Sequence, residues 1–380
     1  MVIHQTPGVY REDVFPAQRA ALPTGVPAFL GQTSRGAVNQ PVRLTRVSQL
    51  AEAFGPPPAD RYLAAAVEGF FLNGGRECLV VPLAGGNPED ALEGALAALA
   101  ARQDLDLVCA PDLHAMAQGT DQALRMQAAV LTHCHAQGDR FALLDAGPKS
   151  GLSEVLEQRK ELGTVAGGLG DNGALYHPWV KPAGAQRFVP PCGHVAGVVA
   201  RCDQRTGVHK APANEVLEGV VDLAASLTDA DQARLNPEGV NALRAFPGRG
   251  IRVWGARTLS RSTAWTYVSV RRLFLTAARW IELNLADASF EPHDTRLWNR
   301  ITRELTTYFE GLFQAGALKG RTAAEAFFVK CDGTTNPPEV RETGRVVTVI
   351  GLAPAVPNEF VVVRIVHGTG GVDVAGPSPS

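Results

Sequence analysis

The chain has 380 residues, 45% hydrophobic and 19% charged, with 36 basic against 38 acidic side chains and a net charge of −2. Such a balance fits about two folded domains and excludes extensive disorder. A near-neutral surface gives no electrostatic reason to expect nucleic acid or an anionic membrane as partner, and it lowers long-range repulsion between copies.

The N-terminus, MVIHQTPGVYRED, lacks the basic and apolar regions of a signal peptide, and no apolar run is long enough to suggest a membrane span. The six cysteines are scattered without a CxxC pair, which points to buried free thiols in a protein made in a reducing cytoplasm. Residues 1–20 read as an arm, in which a Thr6-Pro7-Gly8 turn precedes VYREDVF, whose alternation suits a half-buried strand that needs a sheet to join.

Residues 21–245 read as an α/β domain. Strands are expected at 25–31, 78–83, 105–111 and 141–147, and helices at 47–55, 61–75, 121–137 and 152–162. Asn87-Pro88-Glu89-Asp90 supplies an N-cap, a first-turn proline and first-turn acids for a helix carrying Leu92, Leu96 and Leu99 on one face. This alternation implies a mainly parallel sheet covered by helices. After a Gly/Pro-rich stretch holding ALYHPWVK, helices are expected at 193–203, 214–227 and 229–235.

A second unit spans 246–345. It begins with a strand in IRVWGARTLS and continues with 267–286, strand-like at first and then helical. Asp294 caps a helix with Leu297, Ile301, Leu305, Tyr308 and Leu312 at helical spacing, and 326–331 forms a short strand. Residues 346–380 form an arm and tail. RVVTVIGL and EFVVVRIV are strands there, and GTGGVDVAGPSPS is a disordered tail.

No catalytic, cofactor-binding or metal-binding set emerges. Gly168, Gly170 and Gly173 satisfy GxGxxG, but a helix precedes them and an extended segment follows, the reverse of the context that dinucleotide binding needs. His133 and His135 flank Cys134 at a spacing that does not share a helical face, and no GxSxG or GxxxxGK[ST] is present. The terminal strands carry more information. EFVVVRIV has strong strand propensity and low charge, so it either completes a sheet of its own domain or adds to a neighbouring copy.

The stretches TPGVYREDV, GVPAFLGQTSRG, FFLNGGRECLVV, LYHPWVK, VPPCGHVAGVVARCDQRTGVHKAPANE, LNPEGVNALRAFPGRGIRVWGARTLS, YVSVRRLFL and GALKGRTAAEAFFVKCD run in order from residue 6 to beyond 330. In them the chain resembles the sheath proteins of contractile phage tails and, more closely, of phage-tail-like extracellular injection systems. It is short beside the long phage sheaths with their extra outward domains, as a compact injection-system version is expected to be.

The resemblance implies an outer Rossmann-like, mainly parallel α/β domain, an inner α+β domain at 246–345 facing an inner tube, and strand-exchanging arms at both ends. The implied arm strands are Val9, Tyr10, Arg11 and Val14 at the N-terminus and Phe360, Val361, Val362, Val363, Arg364 and Ile365 at the C-terminus. Lys319 and Arg321 are candidate contacts to an acidic tube surface, beside the alternative of ordinary solvated loop charges. The implied partners are further copies in stacked six-membered rings, the inner tube protein, and baseplate and tail-terminator or cap proteins, without nucleic acid, cofactor or membrane insertion. Synthesis in a bacterial cytoplasm and incorporation into a phage tail or released particle follow from the same likeness. An enzyme with a Rossmann-like nucleotide-binding domain is the rival reading; it predicts a discrete oligomer and saturable nucleotide binding.

Overall fold

The structure, a computed structural model, describes residues 22–148, 150–359, 364–368 and 371–375, with side chains to residue 359. The expected N-terminal strand residues Val9, Tyr10, Arg11 and Val14 lie outside the described residues, as do Phe360, Val361, Val362 and Val363.

The first part of the chain lays down β1 (Pro27–Gly31), β2 (Val42–Leu44), α1 (Ser48–Phe54), α2 (Leu63–Leu72), β3 (Cys78–Pro82), α3 (Pro88–Leu99) and β4 (Leu107–Cys109). There follow α4 (Leu113–Met116), α5 (Thr120–Gln137), β5 (Phe141–Asp145), α6 (Leu152–Val165), β6 (Gly173–His177), β7 (Val180–Pro182) and α7 (Cys192–Arg205). Then come β8 (Glu215–Val216), β9 (Val220–Leu223), α8 (Asp229–Leu235), β10 (Val240–Phe246) and β11 (Gly250–Val253). Nine strands form one sheet in the order β2-β3-β1-β4-β5-β6-β10-β11-β8. Strands β3, β1, β4, β5, β6 and β10 run parallel, while β2, β11 and β8 pair antiparallel with their neighbours.

The parallel strands are buried on both faces, which is why they read as continuous apolar runs. Ala28 and Leu30 face a core shared with α3, α5 and α6, whereas Phe29 faces α1, α2 and α7. The predicted cap of α3 is present, with the Asn87 side chain accepting from the Glu89 amide at 3.0 Å. On the other face α2 and α7 pack almost backbone to backbone. A Cβ at Gly193 would lie 2.2 Å from the Ala66 carbonyl oxygen, and one at Gly197 2.5 Å from that of Phe70.

The structure departs from expectation at 214–227. This segment is not helical: β8 pairs with β11, and β9 pairs with β7. Gly219, at φ 72, turns the chain between the two strands, a conformation that interrupts any helix. Strand β10 was also unforeseen, because Asn241 and Arg244 break its apolar run. The buried Asn241 side chain is satisfied by the main chain of Arg257, accepting from its amide and donating to its carbonyl, both at 2.7 Å. A boundary at 245/246 therefore cuts the β10–β11 hairpin, and the sheet runs on to Val253.

The remaining elements are α9 (Val268–Asn284), α10 (Thr295–Gln314), α11 (Ala323–Ala326), β12 (Phe327–Lys330), α12 (Pro338–Glu342), β13 (Val349–Leu352), β14 (Arg364–Gly368) and β15 (Gly371–Ala375). Asp294 caps α10 as expected, accepting from the amides of Arg296 and Leu297 at 2.9 and 3.1 Å. Leu297, Ile301, Leu305 and Phe309 are the core residues of its apolar stripe, with Tyr308 and Leu312 partly buried beside them. Strand β13 pairs antiparallel with β12, so the first valine-rich run ends in its own unit's sheet, across a boundary placed at 345/346. Residues 371–375, expected in a disordered tail, instead form β15 paired with β14.

Helix α9 fastens this unit to the sheet. Its Arg272 is 2% exposed and donates to both oxygens of Asp203 at 2.8 and 2.6 Å and to Asp106 at 2.7 Å. Burial alone would lower the guanidinium pKa, but the carboxylates of Asp203 and Asp106 outweigh it and hold the charge firmly. Beside it in the helix, Arg271 bonds the Asn172 side chain at 2.7 Å, and two turns further on Arg279 bonds the carbonyls of Pro23 and Gln103, each at 3.0 Å.

Candidate assembly surfaces

In a parallel α/β sheet, ligands bind outside the carboxyl ends of the strands, where the strand order reverses. Here that position lies between β1 and β4. The Asp112 side chain, just beyond β4, fills it. One carboxylate oxygen accepts from the Gln32 amide at 2.8 Å, and the other accepts from the amides of Tyr62 and Leu63 at the start of α2. Gly31 leaves room for it, since a Cβ there would stand 2.7 Å from the carboxylate. The amides that would cradle a phosphate are thus engaged by the chain's own anion. Burial raises the Asp112 pKa, and the donated amide hydrogen bonds and nearby Arg61 oppose that rise.

The glycine motif lies between α6 and β6, with its last glycine opening the strand. His133 faces Arg140 at 3.3 Å, and its pKa falls to about 4 through burial and that neighbouring charge. Cys134 is buried, and no cluster of metal-ligating side chains occurs among the described residues. All six cysteines are free and buried.

Asp145, at the end of β5, is fully enclosed. It accepts from the Cys192 amide at 2.8 Å, and burial lifts its pKa to about 7. The Cys192 side chain also bonds that carboxylate, and burial raises the thiol pKa. His114 bonds the Asp145 carbonyl, not its carboxylate, at 2.9 Å.

The C-terminal unit presents open strand edges. Among the described residues, β12 and β13 pair only with each other, and β14 and β15 only with each other. Arg364 and Ile365, expected in a donated strand, lie in β14 opposite Ala375 and Val374. Both outer edges of that hairpin stay unpaired among the described residues. Earlier in the chain, Glu359 takes the Arg257 guanidinium in a bidentate ion pair, one bond at 2.8 Å, and lies 3.5 Å from the Asn236 amide nitrogen. The hydrogen bond to Glu359 raises the Arg257 pKa.

Lys319 and Arg321 are exposed in the loop between α10 and α11. The Lys319 amide bonds the Ala353 carbonyl at 2.7 Å, while the Arg321 side chain, 93% exposed, reaches Glu325 only at 3.8 Å.

Sequence reasoning missed a groove of about 800 Å³ between α9, α10 and the approach to β13. Ile281, Leu285, Leu297, Ile301 and Leu305 line it, and Phe290 stands fully exposed at its mouth with φ 71. The residues of the α10 stripe were visible in the sequence; the groove formed beside them with α9 and the segment before β13 was not.

Comparison with known proteins shows the family. Residues 86–259 match the phage tail sheath protein central domain, and residues 260–367 match the phage tail sheath C-terminal domain. A tail sheath protein of Vibrio phage KVP40 is 28% identical over 193 residues, covering 50% of this chain and 28% of that protein. One from Burkholderia phage BcepMu is 28% identical over 221 residues, covering 54% and 44%. The matched region thus spans less than half the length of these relatives.

Among solved structures, a chain in the baseplate of the anti-feeding prophage superposes with a TM-score of 0.78 at 30% identity, covering 97% of this chain and all of that one. The sheath complex of an extracellular contractile injection system in its contracted state gives 0.78 at 26% identity, with 97% and 99% covered. A sheath tail protein from Listeria innocua, at 11% identity and a TM-score of 0.59, shares the fold. With two sheath domains matched in order and a sheath fold superposed along nearly its whole length, the chain belongs to the contractile tail sheath family.

Proposed function

We propose that this chain is the structural subunit of a contractile sheath. Copies stack as six-membered rings into a helical tube around an inner tube protein and dock on a baseplate at one end and a terminator or cap at the other. Shortening and widening of this lattice drives the inner tube through a target envelope. The energy is stored in the extended lattice during assembly, and the subunit hydrolyses no nucleotide. The particle is made in a bacterial cytoplasm and works as a phage tail or released injection device.

The α/β sheet domain faces outward and the C-terminal unit faces the tube. Val9, Tyr10, Arg11 and Val14 of one neighbour, and Phe360 to Ile365 of another, add to the open edges of β12–β13, where main-chain hydrogen bonds supply the linkage. Lys319 and Arg321 contact the inner tube. Exposed charges suit a surface that must hold and then release, because such pairs are individually weak.

The observation that carries this reading is the reciprocal coverage of 97% and 99% with a contracted sheath at 26% identity. Electron microscopy of the purified chain, alone and with a tube protein, tests it. Striated hollow cylinders are the expected result, and a discrete oligomer under all assembly conditions would overturn it.

A further inference from the structure

A cleft of about 370 Å³ opens at the amino end of β10, between α6 and the turn that follows β11. Three arginines line it: Arg159, Arg257 and Arg261. Arg257 is already answered by Glu359. Arg159 is only 6% exposed, and its Nε and Nη2 donate to the carbonyls of Glu238 and Leu259 at 2.7 and 2.8 Å. Its Nη1 and the Arg261 guanidinium have no hydrogen-bond or ion-pair partner among the described residues.

The two guanidiniums converge beside Gly163 of α6. A Cβ there would stand 3.1 Å from Arg159 Nη1 and 3.9 Å from Arg261 Nη2. The glycine motif helps to bring them together. A Cβ at Gly170 would lie 2.3 Å from the Leu259 carbonyl oxygen, so glycine lets the loop before β6 seat against the turn that carries Arg261. The turn is itself fixed by Thr258, whose hydroxyl donates to the Trp265 carbonyl at 2.6 Å and accepts from the Ser260 amide at 3.0 Å.

Burial lowers the Arg159 pKa, the Arg261 charge lowers it further, and Glu238 opposes both. A guanidinium does not deprotonate in a protein, so this repulsion is not relieved by loss of a proton. A counter-anion relieves it. Within the lining, the Glu238 carboxylate, exposed at the rim, stands alone against the two guanidiniums. Ser260, Ser262 and Thr263 add hydroxyl donors beside them.

We propose that this cleft is a binding site for a tetrahedral oxyanion of the phosphate class, held between Arg159 Nη1 and the Arg261 guanidinium. Planar guanidiniums engage such an anion through directed N–H bonds, which chloride cannot match in geometry. A carboxylate offers its oxygens in one plane, whereas phosphate presents them on several sides, as donors arriving from both α6 and the turn require. The bound anion links these two segments and stabilises the subunit as it fills. The site lies within one subunit and stands independently of the sheath reading.

Phosphorus NMR of inorganic phosphate, titrated with the dilute full-length chain in a constant chloride background, tests this. Saturable line broadening is expected. Arg261→Gln, at an exposed position, should leave the fold intact by circular dichroism and weaken phosphate binding roughly tenfold to a hundredfold, the contribution of a charge-assisted hydrogen bond. Glu238→Gln removes the competing carboxylate and should tighten binding. Absence of saturable binding in the parent would overturn the site, as would equal binding by Arg261→Gln. A rise in melting temperature with phosphate that persists undiminished in Arg261→Gln would mark general salt stabilisation and count against the site as well. Cylinder formation, read by microscopy of the same samples, judges the sheath reading separately.

Discussion

Asp145 couples a single carboxyl to the stability of the whole sheet. Its ordinary pKa near 3.8 is raised by burial to about 7 in the folded chain. Between those values the folded state keeps a proton that the unfolded state releases, so stability falls as pH rises from about 4 to 7 and then levels. At about 1.4 kcal/mol per unit, the loss amounts to a few kcal/mol. Asp145→Asn keeps an acceptor for the Cys192 amide without the charge. Thermal melts should show the variant gaining several degrees over the parent at pH 8 and little at pH 4. Equal melting temperatures at pH 8 would contradict the argument.

Asp112 acts in the opposite sense, because its acceptors cannot be spared. Asp112→Ala leaves the Gln32, Tyr62 and Leu63 amides unmet and should destabilise by roughly 3 kcal/mol in urea titration. Asp112→Asn, which retains acceptor capacity through one oxygen, should cost less.

At the scale of elements, the sequence disclosed what is local and hid what is distant. Asn87 and Asp294 announce helix starts because the cap and its amides lie within three residues of each other. The α10 stripe is visible because its period is that of the helix. Strands β8 and β9 were misjudged because valines near Leu217 and Leu223 also fit helical spacing, and only pairing with β11 and β7 decides. The clamp at Arg272 was illegible: its partners Asp106 and Asp203 lie 166 and 69 residues away. The spacing Gly193–Gly197, by contrast, was a readable sign of close helix packing that went unused. Arg272→Ala should strand two buried carboxylates and cost about 3–5 kcal/mol in chemical denaturation. A loss below about 1 kcal/mol would mean that α9 is held by apolar packing alone.

For the whole molecule, assembly rather than chemistry is the property to measure. Deleting 357–380 removes the hairpin and Glu359 but none of the sheet or C-terminal core. The truncated chain should remain folded and monomeric by light scattering and form no cylinders; normal cylinders would refute strand linkage through this arm. Lys319→Glu with Arg321→Glu should leave the subunit's melting temperature unchanged and reduce its co-sedimentation with tube protein, more so at low salt. The family and the outline of the α/β sheet were legible in the collinear segments. The interfaces were only partly so, because an edge strand and an intramolecular strand share the same residue pattern, and their partner lies on another chain.

The clamp on α9 has a mechanical consequence. Arg271 and Arg272, side by side, and Arg279, two turns on, tie one helix to the α/β domain through short hydrogen bonds, so the joint between the two units has little compliance. A stiff joint carries torque without dissipating it. Each subunit then works as a lever of fixed length, and the stroke of the assembled device is set by the angles through which levers turn against one another.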